Sequence, residues 1–227
     1  MADVIEIPRQ ALHDQVAHRL RTMLIEGRIA PGAKLNEREL SEQLKVSRTP
    51  LREAIKLLST EGLVDLLPNR GAVAVKLGEA DVLHIFEVLG ELEGLSGELA
   101  AQRISDEELR EIRALHFEML AQHARGNLSA YYQLNARIHA AINAAARNPV
   151  LTKTYRSLNA RVQSLRFRTN QDAGKWQRAV KDHERMIDAL AARDGSAMRR
   201  ILVEHLAAKR DAVIAQLRSG QAYADSL

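Results

Sequence analysis

Residues 28–75 read RIAPGAKLNERELSEQLKVSRTPLREAIKLLSTEGLVDLLPNRGAVAV, and their punctuation divides the stretch into short elements. Asn36, with Glu39 three residues on, has the spacing of a capping box and opens a short helix whose inward residues are Leu40 and Leu44. After a tight turn at Lys45-Val46, Ser47 caps the next helix, and Pro50 falls in its first turn, where proline is tolerated. Leu51, Ile55 and Leu58 form the apolar face of that helix, opposite Arg48, Arg52 and Lys56, and Gly62 closes it. Two β-like runs, 63–67 and 72–75, flank Pro68-Asn69-Arg70-Gly71, a hairpin turn by composition. Upstream, residues from about 12 to 26 place Val16, Leu20, Met23 and Leu24 on one helical stripe, ended by Gly27 and the Pro31-Gly32 turn. Three helices followed by a hairpin is the plan of a winged helix-turn-helix.

Charge adds a direction to that plan. Residues 1–76 hold 12 Lys/Arg against 10 Asp/Glu, so the segment as a whole is nearly neutral. Within 45–56, however, Lys45, Arg48, Arg52 and Lys56 meet a single Glu53 and fall on one helical face. Alone, such a stripe reads as a solvated surface. On the third helix of this plan it fits the DNA major groove, where arginine makes paired hydrogen bonds to guanine. Ser47 and Thr49, with the free N–H groups of the helix start, suit phosphate oxygens, and Gly71 beside Arg70 allows a wing tip to approach the duplex closely.

The ordered run PG-x-x-LNERELSEQL-x-VSRTPLREA resembles the DNA-binding domain of the GntR family of bacterial regulators. The resemblance implies DNA contacts at the arginine of the second helix, the Ser-Arg-Thr start and following arginine of the third, and the wing glycine. Those positions here are Arg38, then Ser47, Arg48, Thr49 and Arg52, then Gly71.

The rest of the 227-residue chain differs in texture. Aromatic residues are only 4%, so the core must be built from Leu, Ile, Val and Ala, which favours helix packing over a β-sandwich. Without cysteine, disulfides and thiolate metal sites are excluded and a reducing compartment is the default. No signal-like N-terminus or membrane-length apolar run is present, so the expected location is the cytoplasm, with no membrane partner. From residue 79 onward the periodicity predicts six helices: about 79–102, one opening at the capping box Ser105-Asp-Glu-Glu108, then 129–147, 150–168, 175–192 and 196–218. Short connections predict an antiparallel bundle. The fold class is therefore mainly α, with a winged helix-turn-helix over 1–76, a helical domain over 77–219 and a flexible tail over 220–227.

Histidines single out the helical domain. His183 lies on the stripe of Trp176, Val180, Ile187 and Leu190, and His205 on that of Met198, Ile201, Leu202 and Ala208. Asn135 and His139 are one turn apart beside Ile138 and Ile142. Imidazoles with one oxygen ligand suit zinc, nickel, manganese or iron, and a spacing of four brings two ligands to one ion. Spacing alone leaves hydrogen-bonded core histidines, a sensor metal site and a metalloenzyme centre all open. A catalytic centre usually needs a general base nearby, and no His-Glu-x-x-His arrangement supplies one, although Glu184 follows His183.

The segments NARIHAAINAAARNP, DHERMIDALAARD and MRRILVEHLAAKR resemble the metal-binding segments of the FCD domain, the helical effector domain of the FadR-type GntR subgroup. The resemblance implies a divalent ion, zinc first, on Asn135, His139, His183 and His205, with Asn135 where the pattern more often has Asp. It implies a regulator rather than an enzyme: a homodimeric repressor on a short palindromic operator, controlled by a small carboxylate. In HIFEVLGELEGLSGELAA, Leu89 stands where many relatives carry an arginine. Residues 149–171 offer replacements in Lys153, Arg156, Arg161, Arg166 and Arg168 with no acid among them, and Arg161 is taken as the effector-binding arginine.

Overall fold

The computed structural model describes residues 12–68, 71–169 and 173–224, with the side chains of 168–169, 173–177 and 220–224 excepted. The chain divides into two units, Met1–Lys76 and Leu77–Leu227. In the first, α1 (Leu12–Ile25), α2 (Glu37–Leu44) and α3 (Arg48–Thr60) accompany β1 (Lys34–Leu35), β2 (Val64–Leu67) and β3 (Gly71–Ala74). Val16, Leu20, Met23 and Leu24 of α1 are buried with Leu40 of α2 and with Leu51, Ala54, Ile55 and Leu58 of α3. Asn36 caps α2 as its spacing predicts, accepting from the backbone N–H groups of Arg38 and Glu39. Lys45 then turns the chain in the left-handed region at φ 54°.

Three local expectations need correction. Leu44 is only half-buried, because the chain leaves the helix at Lys45 before the last turn can close over it. Ser47 stands at the N-cap of α3 in extended geometry, but its hydroxyl makes no capping bond. The wing also has a third strand: β1 pairs antiparallel with β3, giving the order β1-β3-β2, with Lys34 opposite Val73 and Asp65 opposite Val73 from the other side. Two residues are too few to show alternation, so β1 left no periodic signal. Asn69 and Arg70 of the expected hairpin turn lie outside the described residues, while Gly71 beside them has φ +84°, a region that favours glycine.

Among its described residues the second unit holds helices and short connections: α4 (Glu79–Arg103), α5 (Asp106–Ala124), α6 (Leu128–Ala145), α7 (Pro149–Thr169), α8 (Ala173–Ala191) and α9 (Gly195–Ala224). The capping box at the start of α5 forms, Ser105 Oγ accepting from Glu108 N–H at 3.2 Å and the Glu108 carboxylate from Ser105 N–H at 2.9 Å. Helix α9 continues to Ala224, past the Arg218 at which its apolar pattern gives out, and Arg218 is held by Glu79 at the start of α4. Helices α4 and α9 approach closely because Gly94 and Gly97 have no Cβ: one added at Gly97 would collide with Leu202 and Met198. Two apolar clusters result. One joins α4, α5, α6, α8 and α9 around Ile112, Met119, Ile138, Met186 and Leu202. The other joins Val82, Phe86 and Leu89 to Tyr155, Val162, Leu206 and Val213. No helix among the described residues is long and apolar enough to cross a membrane.

Candidate nucleic-acid interface and candidate metal centre

The buried stripe of α3 leaves Ser47, Arg48, Thr49 and Arg52 exposed. Arg38, Arg48 and Gly71 line a single open cleft of about 700 Å³, together with Lys34, Asn36, Glu37 and Glu39. The fold thus brings the arginine of α2, the start of α3 and the wing glycine to one surface. Lys34 is an unforeseen addition; it belongs to the two-residue strand that had no sequence signal. Two of the arginines have carboxylate partners: Arg52 Nε donates to Glu37 Oε2 at 2.8 Å, and Arg38 Nε to Glu42 Oε1 at 3.2 Å. Arg48 has no ion pair with a described residue. Ser47 is exposed and its hydroxyl makes no bond to its own helix, so it and the first N–H groups of α3, which have no partner within the helix, suit a phosphate oxygen.

In the helical unit, His139 of α6, His183 of α8 and His205 of α9 are buried and converge, one ring nitrogen from each lying within 4.8 Å of the others. Two carboxylates orient two of the rings. Nδ1 of His205 lies 3.1 Å from Asp182 Oδ2, and Nδ1 of His139 lies 3.1 Å from Glu93 Oε2. With Nδ1 facing a carboxylate, each ring keeps its lone pair on Nε2, the tautomer that ligates metal. Nε2 of His139, Nε2 of His205 and both ring nitrogens of His183 are buried without a hydrogen-bond partner. An unsatisfied buried polar atom costs about 1–3 kcal/mol, so a core in which these histidines served packing alone would carry several such penalties at one point. The donor set fits a divalent ion.

Electrostatics agree. Burial pushes the His205 ring down to about 4, against the Asp182 hydrogen bond that raises it. Burial and the neighbouring rings of His139, His205 and His116 hold His183 well below the ordinary imidazole range. Both are neutral near pH 7, as a ligand must be. Burial alone would raise Glu93, yet His139 and Arg166 outweigh it and hold the carboxyl at about 2.

Asn135 is buried one turn before His139 and makes no hydrogen bond to a described residue. Arg161 is half-buried and without an ion pair to a described residue, and Arg168 and Trp176 lie outside the described side chains. Leu89 is buried in the apolar cluster with Tyr155 and Leu206. Sequence reasoning missed Glu93, Asp182 and Tyr155 and gave Arg166 no role of its own. Glu93 accepts from the Tyr155 hydroxyl at 3.2 Å and lies 3.6 Å from Arg166 Nη1, which also donates to Asn159 at 2.6 Å. One signal was available: Glu93 is a lone acid four residues after Leu89 on the buried stripe of α4. Asp182 is adjacent to His183 in sequence, but the ring it orients, His205, is on another helix.

A winged three-helix unit joined to an all-helical unit with a cluster of three buried histidines fits the two-part plan of a transcription regulator. Comparison with known proteins makes this specific. A family model for the FCD domain matches residues 84–208, and one for bacterial regulatory proteins of the gntR family matches residues 12–73. The chain belongs to the GntR family of transcriptional regulators and carries an FCD domain. It is 34% identical over 164 residues to the Nta operon transcriptional regulator of Aminobacter aminovorans, covering 71% of this chain and 74% of that one. It is 28% identical over 200 residues to the HTH-type transcriptional repressor RspR of Escherichia coli K12, covering 88% and 87%. The solved structure of E. coli McbR/YncC superposes with a TM-score of 0.81 at 23% identity, covering 93% of this chain and 99% of that chain, a likeness of fold. These relatives are named as regulators of transcription, and this chain is a regulator rather than an enzyme.

Proposed function

We propose that this regulator is a cytoplasmic homodimeric repressor, released from a short palindromic operator when a small carboxylate binds at a metal centre in its helical domain. Dimer symmetry would present one α3 to each half-site. Arg38, Ser47, Arg48, Thr49, Arg52 and Gly71 make the DNA contacts. His139, His183 and His205 hold the ion with Asn135 as an oxygen ligand, while Glu93 and Asp182 fix two of the rings. When bound, the ion supplies a Lewis-acidic position that an effector carboxylate can complete. Arg166 is engaged by Glu93, and half-buried Arg161, without an ion pair to a described residue, takes the effector's charge. The name repressor, carried by RspR, favours that sign.

The observation that carries this reading is the convergence of three buried imidazoles with unpartnered nitrogens. Metal analysis of the purified protein, followed by thermal-shift screening of small carboxylic acids with and without chelator, tests it. The expected result is bound divalent metal and an acid whose stabilisation vanishes with chelator. Protein that carries no metal, and whose melting no divalent ion shifts, would overturn it.

A further inference from the structure

A carboxylate is out of place on a surface that meets phosphates, yet Glu37 lines the cleft beside Arg38, Arg48 and Gly71. Glu39, which shares the cleft, is explained by the cap of α2, where Asn36 Nδ2 donates to it at 2.7 Å. Glu37, also in the first turn of α2, suits the helix dipole but takes no part in the cap. Its carboxylate reaches across from α2 to Arg52 of α3, fifteen residues on, and takes the Nε hydrogen at 2.8 Å. This contact has two consequences. It secures the guanidinium by its Nε side and leaves the edge of the two terminal nitrogens without a bond to a described residue, and that edge suits a bidentate bond to guanine O6 and N7. It also offsets the charge of Arg52, which weakens attraction to any phosphate regardless of sequence.

The geometry points to Glu37 as a positioning residue for base readout, one that aims Arg52 at a base edge and lowers affinity for non-cognate DNA. The inference rests on the reading of Arg52 as a base contact, and the test separates the two. The probes are a duplex selected from a random-sequence library by the wild-type chain and a scrambled duplex of equal length, both followed by fluorescence anisotropy. The variants are Glu37→Ala, Glu37→Gln, Arg52→Ala and the Glu37→Ala/Arg52→Ala pair, each checked for folding by its thermal transition.

Glu37→Ala should lower the ratio of selected to scrambled affinity by about tenfold while affinity for the scrambled duplex rises. Glu37→Gln keeps an oxygen that accepts from Nε, so it should retain most of the ratio while sharing the gain on scrambled DNA. Arg52→Ala should lose the ratio by itself, and adding Glu37→Ala should lower it no further. The inference is overturned if Glu37→Ala leaves the ratio unchanged, weakens both duplexes in step, or lowers the ratio again in the Arg52→Ala background. If Arg52→Ala alone leaves the ratio intact, the Arg52 reading fails and the inference falls with it.

Discussion

His139 and His205 each turn one ring nitrogen to a carboxylate and leave the other buried and unpartnered. That asymmetry makes the centre testable one side chain at a time. Asp182→Ala removes the group that fixes the His205 tautomer without removing a ligand, so divalent-ion affinity should fall about 10–100-fold by competition with a chromophoric chelator. The pH response follows from the same burial. An unfolded His205 takes up its proton near the ordinary 6.5, whereas the folded ring does so at about 4. The unfolded chain therefore binds more protons across that interval, and stability falls as pH drops through it. Glu93, ordinarily 4.5 and held at about 2, adds a second loss between those values. For chelator-treated protein, the urea midpoint should be level above pH 6.5 and decline toward pH 4. His205→Gln should flatten part of that decline, the rest belonging to the buried His183 and His116 and, below 4.5, to Glu93. An unchanged slope in the variant would refute the assignment. At this scale the sequence was only partly legible. The three histidines announced themselves by lying on apolar stripes. Their carboxylate partners did not, because Glu93 and His139 are 46 residues apart and meet only when α4 packs on α6.

At the scale of elements, α4 sets the geometry of the centre: it carries Glu93 and approaches α9, which carries His205, through Gly94 and Gly97. Two glycines on this one helix should respond in opposite senses to the same substitution. Gly97→Ala gains helix propensity of about 1 kcal/mol, but the added methyl meets Leu202 and Met198, both buried, and overpacking of this kind costs about 1–3 kcal/mol. A net loss of stability is expected. At Gly90 an added Cβ would meet nothing within 4 Å, so Gly90→Ala should stabilise by about 0.5–1 kcal/mol. Urea unfolding of both variants checks the pair, and equal effects would contradict the packing account. Capping and punctuation made most elements readable in advance, as at Asn36, Ser105 and Gly62. What escaped was decided by tertiary contact: β1, which exists only as a partner of β3, and the last turns of α9, which follow an Arg218 anchored on Glu79.

At the scale of the whole molecule, the proposed function couples a DNA-reading unit to a ligand-sensing one. Arg48 is the exposed arginine of α3 without a described partner, and Arg52 is the one aimed by Glu37. Replacing both with alanine should abolish sequence-selective binding while leaving the thermal transition of the helical unit unchanged; retained selectivity would remove the DNA assignment from α3. Coupling is the larger claim. A ligand shifts an equilibrium only by its unequal affinity for the two states, so an acid bound at the centre must bind the DNA-released form more tightly. The direct measurement is affinity for a selected duplex, with metal-loaded and chelator-treated protein each titrated with small carboxylic acids. The account predicts that at least one acid weakens duplex binding in the loaded protein and has no effect after chelation. Acids that leave duplex affinity untouched in metal-loaded protein, or that act equally with and without chelator, would contradict it.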